Sequence, residues 1–189
     1  MMRRCLRERD MTEAFPAIIE TERLRLRPPA PQDAETIFAA YAQDPVVTRF
    51  LVWAPHNSIA VTRQFTIICI ASWQSARAFA YVLTSRASGQ VIGMLEVRPA
   101  GYRANIGFVL ARAHWGQGIM PEAVRAVVEL ALSSLALFRV DATCDVDNQA
   151  SVRTLEKSGF IKEGRLARYL VHPNISPEPR DCFMYAACR

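Results

Sequence analysis

A glycine-rich turn between an apolar strand and a helix is the segment of this chain best suited to bind a phosphate. The residues Trp115-Gly116-Gln117-Gly118-Ile119-Met120 follow the apolar run Phe108-Val109-Leu110 and open a long amphipathic segment. Glycine lets the main chain approach a ligand closely because no Cβ intervenes. The free N–H groups and the positive dipole end of a helix's first turn attract phosphate. The turn therefore predicts a site for a phosphate-bearing cofactor, with a purely structural turn as the alternative.

The spacing of the glycines separates this turn from two common nucleotide sites. A Rossmann site has Gly-x-Gly-x-x-Gly early in the chain, but here Pro121 stands three residues after Gly118 and the turn lies in mid-chain. A P-loop requires Gly-Lys-Ser/Thr, which this segment lacks. Taken alone, the glycine turn is a weak signal.

A second segment carries polar residues at the start of a short amphipathic pattern. It reads Asn148-Gln149-Ala150-Ser151-Val152-Arg153-Thr154-Leu155-Glu156-Lys157-Ser158-Gly159-Phe160. An N-capped helix over residues 148–158, ended by Gly159, accounts for this pattern without any ligand. The segment becomes informative only in combination with the glycine turn.

Together, in this order, the two segments resemble the signatures of the GNAT superfamily of acetyl-CoA-dependent N-acetyltransferases. The resemblance extends from about residue 19 to residue 189 and is strongest to the Rim-type branch, whose members acetylate the N-termini of ribosomal proteins. Residues 21–27 resemble the first strand of that branch, and residues 47–53 resemble its loop after the first helix. The resemblance implies a mixed, mostly antiparallel central sheet with flanking helices.

The resemblance also implies a role for each matched residue, with acetyl-CoA as the acetyl donor. Backbone N–H groups of Trp115, Gly116, Gln117, Gly118, Ile119 and Met120 would hold the pyrophosphate. Phe108, Val109 and Leu110 would pair with the pantetheine arm as a pseudo-strand. Asn148 would contact that arm near its reacting end, and Ser151 would lie close to the cofactor sulfur.

The proton transfers are less well defined by the sequence. Many family members carry a tyrosine that protonates the leaving thiolate, but the matching position here is Leu155. Ser151 is expected to stabilise the thiolate instead. Glu96 is the candidate base that deprotonates the acceptor amine, since Ile92, Met94 and Glu96 would share one face of a strand. The alternative is a surface glutamate paired with Arg98 or Arg103.

The three histidines and one tryptophan lie where a ligand would be bound. His114 adjoins the glycine turn and is expected to pack there or contact the cofactor. His56 and His172 lie in loops that would flank an acceptor cleft, and both are predicted to be surface residues. Trp53 is either an aromatic of the substrate loop or a structural anchor.

The elements that position these residues follow from periodicity and turn signals. Helices are predicted at residues 31–43, 58–76 and 148–158, and after Gly118 with Met120, Val124, Val127, Val128, Ala131 and Leu135 on one apolar face. Strands are predicted at residues 22–27, 79–85, 90–98, 103–110, 138–144, 160–171 and 182–187. The strands 103–110 and 138–144 are expected to be parallel, joined by a right-handed crossover.

Length and composition exclude several classes of protein. The 189 residues predict one domain, residues 18–189, after a flexible tail at residues 1–17. Apolar runs are too short for a membrane helix, and we expect a cytoplasmic protein. The five cysteines contain no Cys-x-x-Cys pair, which argues against a disulfide framework or a metal site; Cys69 and Cys144 are expected to be inert core thiols.

The expected partners are acetyl-CoA and an amine acceptor, either a protein N-terminus or a small molecule, with a homodimer as a further possibility. The net charge of +5 comes from dispersed arginines, so it suits an anionic cofactor at least as well as nucleic acid, and no nucleic-acid partner is expected. The alternative to an enzyme is a non-catalytic acyl-CoA-binding or regulatory module.

Overall fold

The computed structural model describes residues 14–134 and 136–189. Within these residues, eight strands form one sheet in the order β1-β2-β3-β4-β5-β6-β8-β7. The strands are β1 Ile19–Glu20, β2 Leu24–Arg27, β3 Phe79–Ser85, β4 Val91–Ala100, β5 Arg103–Leu110, β6 Arg139–Asp145, β7 Ile161–Val171 and β8 Pro179–Cys188. The helices are α1 Asp33–Ile37, α2 Pro45–Thr48, α3 Ile59–Gln74, α4 Ile119–Ser133 and α5 Gln149–Lys157.

The centre of the sheet opens where its two parallel strands part. Neighbouring strands pair in antiparallel fashion except β5 and β6, which are parallel as predicted. Their pairing begins at Arg103 opposite Arg139 and ends at Asn105 opposite Asp141. Beyond Asn105, β5 continues along β4 while β6 continues along β8. A wedge therefore opens between the carboxyl ends of β5 and β6.

Helices cover both faces of the sheet. On one face, Val124, Val127 and Ala131 of α4 are buried in a cluster with residues of β2 to β6. On the other face, Ile37 and Cys69 belong to a second cluster that includes Met94 of β4. The predicted apolar face of α4 is confirmed for Met120, Val124, Val127, Val128 and Ala131, whereas Leu135 lies outside the described residues.

The helix predicted over residues 31–43 is divided in the structure. It begins at Asp33, widens into a π turn over Phe38–Ala42, and is followed by α2. Asp44 is the N-cap residue of α2, because its Oδ1 accepts a hydrogen bond of 2.8 Å from the Val46 N–H. Pro45 then occupies the first turn, where its missing N–H costs nothing.

The boundary predicted between the tail and the domain, after residue 17, is wrong. Phe15 is only 2% exposed, and its ring lies 4.9 Å from that of Phe79. The Tyr81 hydroxyl donates a 2.8 Å hydrogen bond to the Pro16 carbonyl. Burial of an aromatic ring stabilises this segment against the sheet, so the packed domain begins before residue 18. Residues 1–13 of the predicted tail lie outside the described residues.

A β-bulge at Ile92 changes which residues of β4 share a face. Leu83 pairs with Gly93 and Thr84 pairs with Val91, so Ile92 has no partner on β3. Ile92 is buried in the cluster that holds Leu95, whereas Met94 lies in the other cluster. The expectation that Ile92, Met94 and Glu96 share one face is therefore wrong for Ile92, because the extra residue of a bulge reverses the alternation.

Candidate active site

The glycine turn has the backbone conformation that its residue types predict. Gly116 and Gly118 adopt φ angles of 74° and 73°, in the left-handed region where a Cβ is strained. Gly118 is the N-cap residue of α4, and Ile119 begins the helix. The first-turn N–H groups of α4 therefore face the turn, which is the geometry that suits an anion.

The turn is fixed to the first strands of the sheet by residues that sequence reasoning missed. The Arg23 side chain donates a hydrogen bond of 2.8 Å to the Gln117 carbonyl and another of 2.6 Å to Glu122 Oε2. Glu122 Oε1 also accepts from the Thr21 hydroxyl and from the Arg23 backbone N–H. Burial raises the pKa of Glu122, but the bonds from Thr21 and Arg23 outweigh it and lower that pKa. Glu122, an acidic residue in the first turn of α4, is the sequence feature that could have indicated this contact.

A cavity of about 530 Å³ lies beside the turn, between the end of β5 and the start of α5. Of the predicted cofactor-binding residues, those that line it are Phe108, Val109, Leu110, Trp115, Gly116, Gly118, Ile119, Met120, Asn148 and Ser151. The Gln117 side chain bonds instead to the Ala113 carbonyl, at 2.9 Å. The cavity is also lined by basic side chains, namely Arg49, His114, Arg153 and Lys157, against one acidic residue, Asp147. Such a lining attracts an anionic ligand.

A second cavity, of about 260 Å³, adjoins the first at the wedge. Phe50, Phe108, Val109, Asn148 and Ser151 are among the residues that line both cavities. The walls of the second cavity are otherwise largely aromatic and apolar, with Tyr41, Trp53, Phe65, Met94 and Leu155 among them. Two ligands bound in the two cavities would therefore meet beside Asn148 and Ser151.

Asn148 and Ser151 are held in place by the start of α5. Asn148 is the N-cap residue, and its Oδ1 accepts a 3.2 Å hydrogen bond from the Ser151 N–H. The structural interpretation of this segment is thus correct, and both residues also lie at the junction of the cavities. Leu155, one turn further on, is 1% exposed and lines the second cavity. An apolar side chain occupies the position where many family members have a phenol.

Glu96 lies in the wall of the second cavity and is also paired with an arginine. Its carboxylate accepts a hydrogen bond from Arg98. Arg98 in turn donates a hydrogen bond of 2.8 Å to Asn105 Oδ1, and the Asn105 side-chain amide donates one of 2.9 Å to Asp141 Oδ1. Glu96 is thus both a cavity residue and the ion-paired residue, and its role as the base stays a prediction. The network begins where β5 and β6 separate.

The prediction that His56 and His172 are surface residues is wrong. His56 is 8% exposed, its Nδ1 lies 2.8 Å from the Thr62 hydroxyl, and burial lowers its pKa. His172 is 3% exposed and lines the second cavity. Both loops pack inward, since Trp53 stacks against His56 and Asn174 bonds to the Trp53 carbonyl. Trp53 is therefore both an anchor of its loop and a wall of the cavity.

The thiols Cys69 and Cys144 are buried, and burial raises the pKa of each to about 12. Both thiols are therefore uncharged and inert as nucleophiles. In the described part of the chain, no group of His, Cys, Asp and Glu side chains is arranged to hold a metal ion. No helix in that part is long and apolar enough to cross a bilayer.

Helix α4 begins at the glycine turn, beside a sheet whose strands β5 and β6 part. One cavity lies at the turn, and the second lies in the wedge. This arrangement defines an acyl-CoA N-acyltransferase architecture. The model of the Acetyltransferase (GNAT) domain family matches residues 23–161 of the chain. The uncharacterized N-acetyltransferase YoaA of Bacillus subtilis (strain 168) is 36% identical over 159 residues, which cover 82% of this chain and 89% of YoaA. The chain belongs to the GNAT acetyltransferase family, as predicted.

Solved structures confirm the fold. The microcin C7 self-immunity acetyltransferase MccE, solved with acetyl-CoA and AMP, gives a TM-score of 0.82 at 22% identity, covering 94% of this chain and 99% of MccE. The RimL ribosomal L7/L12 α-N-protein acetyltransferase, solved with coenzyme A, gives 0.78 at 24% identity, covering 90% of this chain and 97% of RimL. The family match and YoaA confirm the enzyme class that the resemblance predicted, an N-acetyltransferase.

Proposed function

We propose that this enzyme transfers an acetyl group from acetyl-CoA to a primary amine by direct attack in a ternary complex. The observation that carries the proposal is the junction of two cavities at Asn148 and Ser151. The first has the glycine turn and a basic lining, which suit the phosphates of CoA. The second has an apolar and aromatic lining with one carboxylate, Glu96, which suits an amine-bearing acceptor.

The residues at the junction receive specific roles in this proposal. Backbone N–H groups of residues 115–120 hold the pyrophosphate, and the end of β5 pairs with the pantetheine arm. Asn148 contacts the arm, and the Ser151 hydroxyl donates to the sulfur as the C–S bond breaks. Glu96 attracts the acceptor ammonium group; its role as the base stays a prediction. The parted strands supply unpaired main-chain groups for the arm, because β5 has no partner on that side beyond Asn105.

The acceptor proposed is a protein N-terminus or a small-molecule amine. The ribosomal-protein-serine acetyltransferase of Escherichia coli (strain K12) is 37% identical over 76 residues, which cover 40% of this chain. That likeness favours a free N-terminus as the first acceptor to test. The cytoplasmic location and a homodimer stay predictions.

Acetyl-CoA binding and turnover test the proposal in two stages. Titration calorimetry with acetyl-CoA should give saturable binding of one molecule per chain, and absence of binding at millimolar cofactor would contradict the proposal. An amine panel, including peptides with free N-termini, should then release CoA thiol in an acceptor-dependent manner.

A non-catalytic acyl-CoA-binding module is the second candidate, and Leu155 is the observation that favours it. The usual phenolic proton donor is absent from that position, and the apolar Leu155 side chain fills it. Micromolar binding of acetyl-CoA without acetylation of any amine in the panel would support this alternative and contradict the transferase.

A further inference from the structure

His172 occupies a position in the second cavity that sequence reasoning did not foresee. It directly follows β7, and its buried ring borders the cavity. Its Nε2 lies 3.8 Å from Asp145 Oδ2 and 3.8 Å from Cys182 Sγ. Its Nδ1 is buried and has no hydrogen-bond partner among the described residues. One edge of the ring therefore faces a carboxylate, and the other edge is unsatisfied.

An unsatisfied ring nitrogen in the interior points to a ligand that completes it. Leaving such a group without a partner costs about 1–3 kcal/mol. His172 is one of the residues that line the second cavity, so a molecule bound there would lie beside its ring. The same cavity is where the acceptor amine is proposed to bind.

Asp145 lies beside the Nε2 edge of the His172 ring and is itself held as a carboxylate. Arg180 donates a hydrogen bond of 2.6 Å to Asp145 Oδ2, and the Asp147 N–H donates one of 2.9 Å to Asp145 Oδ1. Burial raises the pKa of Asp145, but these donors outweigh it and lower the pKa, so the carboxylate is charged. Burial raises the pKa of Cys182 to about 11, so its thiol is neutral and a weak donor. A carboxylate 3.8 Å from Nε2 favours the tautomer that carries its proton on Nε2, which leaves the Nδ1 lone pair free.

The other titratable and charged groups around the cavity are less suited to take a proton. The Glu96 carboxylate is already bound by Arg98. Burial raises the pKa values of Tyr41 and Cys144, so both stay neutral donors. Asp145 and Arg180 satisfy each other on the far side of the His172 ring. His172 thus offers the cavity a ring nitrogen that has no hydrogen-bond partner among the described residues.

We propose that His172, in place of the predicted Glu96, is the general base of the reaction and that Asp145 orients it, an assignment that rests on the proposed acetyl transfer. The acceptor ammonium gives one proton to Nδ1, and its freed lone pair forms the C–N bond with the thioester carbon. The C–S bond breaks, its electron pair leaves on sulfur, and the second nitrogen proton passes to that sulfur. The products are the amide and CoA thiol, and His172 releases its proton to solvent.

Kinetics of three variants against pH test the assignment. With an acceptor from the panel, H172Q should lower kcat/KM about 100-fold at neutral pH and abolish the acid limb of its pH profile, because a positioned base contributes roughly 10²–10⁴-fold. At high pH, where the amine is already neutral, the deficit should shrink. E96Q should keep the acid limb. C182A is the matched control, since it removes the other group 3.8 Å from Nε2, and it should also keep the limb.

An acid limb that persists in H172Q, or that disappears in E96Q instead, would overturn the assignment. The tautomer gives a second readout that needs no acceptor. The chain has three histidines, so ¹⁵N-histidine labelling and two-bond ¹H–¹⁵N spectra resolve each ring, with H172Q as the assignment control. Neutral His172 should be protonated at Nε2, and protonation at Nδ1 would overturn the proposal even in a protein that acetylates no amine. Absent turnover with intact acetyl-CoA binding would contradict the transferase alone.

Discussion

Ser151 illustrates how one residue serves both the fold and the chemistry. Its backbone N–H is held by the N-cap Asn148, so the start of α5 fixes the position of its side chain. The residue lines both cavities, and Leu155 one turn away offers no polar group. The hydroxyl of Ser151 is therefore the donor that we assign to the leaving thiolate.

We expect S151A to slow turnover and to leave acetyl-CoA affinity nearly unchanged. A hydrogen bond to a charged group contributes about 1.5–3 kcal/mol, and its loss in the transition state corresponds to roughly a 10- to 100-fold fall in kcat. Steady-state kinetics and calorimetry on the same preparation measure both quantities. S133A, which removes an exposed hydroxyl at the end of α4, is the control. An unchanged kcat in S151A would dismiss the assigned role.

At the scale of elements, the junction of β5 and α4 is the most constrained part of the chain. Two left-handed glycines form the turn, and Arg23 and Glu122 join it to β2. The left-handed backbone and the contacts of Glu122 with Thr21 and Arg23 act together, because those contacts hold the turn in the conformation that the glycines permit. The geometry of the first cavity depends on both.

The variant G118A tests whether the turn's shape matters for the cofactor. A methyl group at a positive φ costs about 1–2 kcal/mol, and relief of that strain would displace the N–H groups that face the pyrophosphate. We expect acetyl-CoA affinity to fall at least tenfold. G101A is the matched control, since Gly101 has φ 62° and open space around its Cβ position in the β4–β5 hairpin. It should lose similar stability and keep full affinity.

The contacts of Glu122 with Thr21 and Arg23 predict how the stability of the fold depends on pH. The pKa of Glu122 is lowered in the folded protein, so the unfolded chain binds a proton more readily. This contribution is present above the pKa of an unfolded glutamate and is lost as pH falls through the folded value. E122Q should therefore have a lower Tm than the wild type at pH 7, with a difference that narrows between about pH 5 and 3. A Tm difference between E122Q and the wild type that is constant with pH would contradict this role of Glu122.

At the scale of the whole molecule, charge and topology act on the same site. The chain carries a net charge of +5, and the first cavity gathers Arg49, His114, Arg153 and Lys157 from three separate segments. The sheet brings these segments together because β5 and β6 part after three residue pairs. An anionic donor is thereby attracted to the edge of the wedge.

Binding of acetyl-CoA should weaken with ionic strength. The Debye length falls from about 10 Å at 0.1 M to about 3 Å at 1 M, so exposed basic side chains lose most of their long-range attraction. We expect the Kd to rise several-fold over that range, and the rise to be smaller in K157A. Calorimetry at matched osmolality measures this effect. A salt-independent Kd would show that the backbone turn alone holds the donor.

The sequence by itself determined the parts of this protein that depend on local backbone chemistry. A helix was predicted to follow Gly118, a helix capped by Asn148 was predicted at residues 148–158, and the strand over residues 103–110 was predicted at its observed bounds. These features need neighbours only a few residues away, so the spacing of residue types specifies them. The family resemblance of the two motifs supplied the donor.

Only the tertiary structure decided the features that need distant segments to meet. Arg23 reaches the glycine turn, a bulge moves Ile92 to the opposite face, and Phe15 packs on Phe79. His172 was predicted to lie on the surface because it lies in a loop, yet it is buried against Asp145 and lines the second cavity. Long-range packing fixes a side chain's surroundings, and with them its ability to hold a proton.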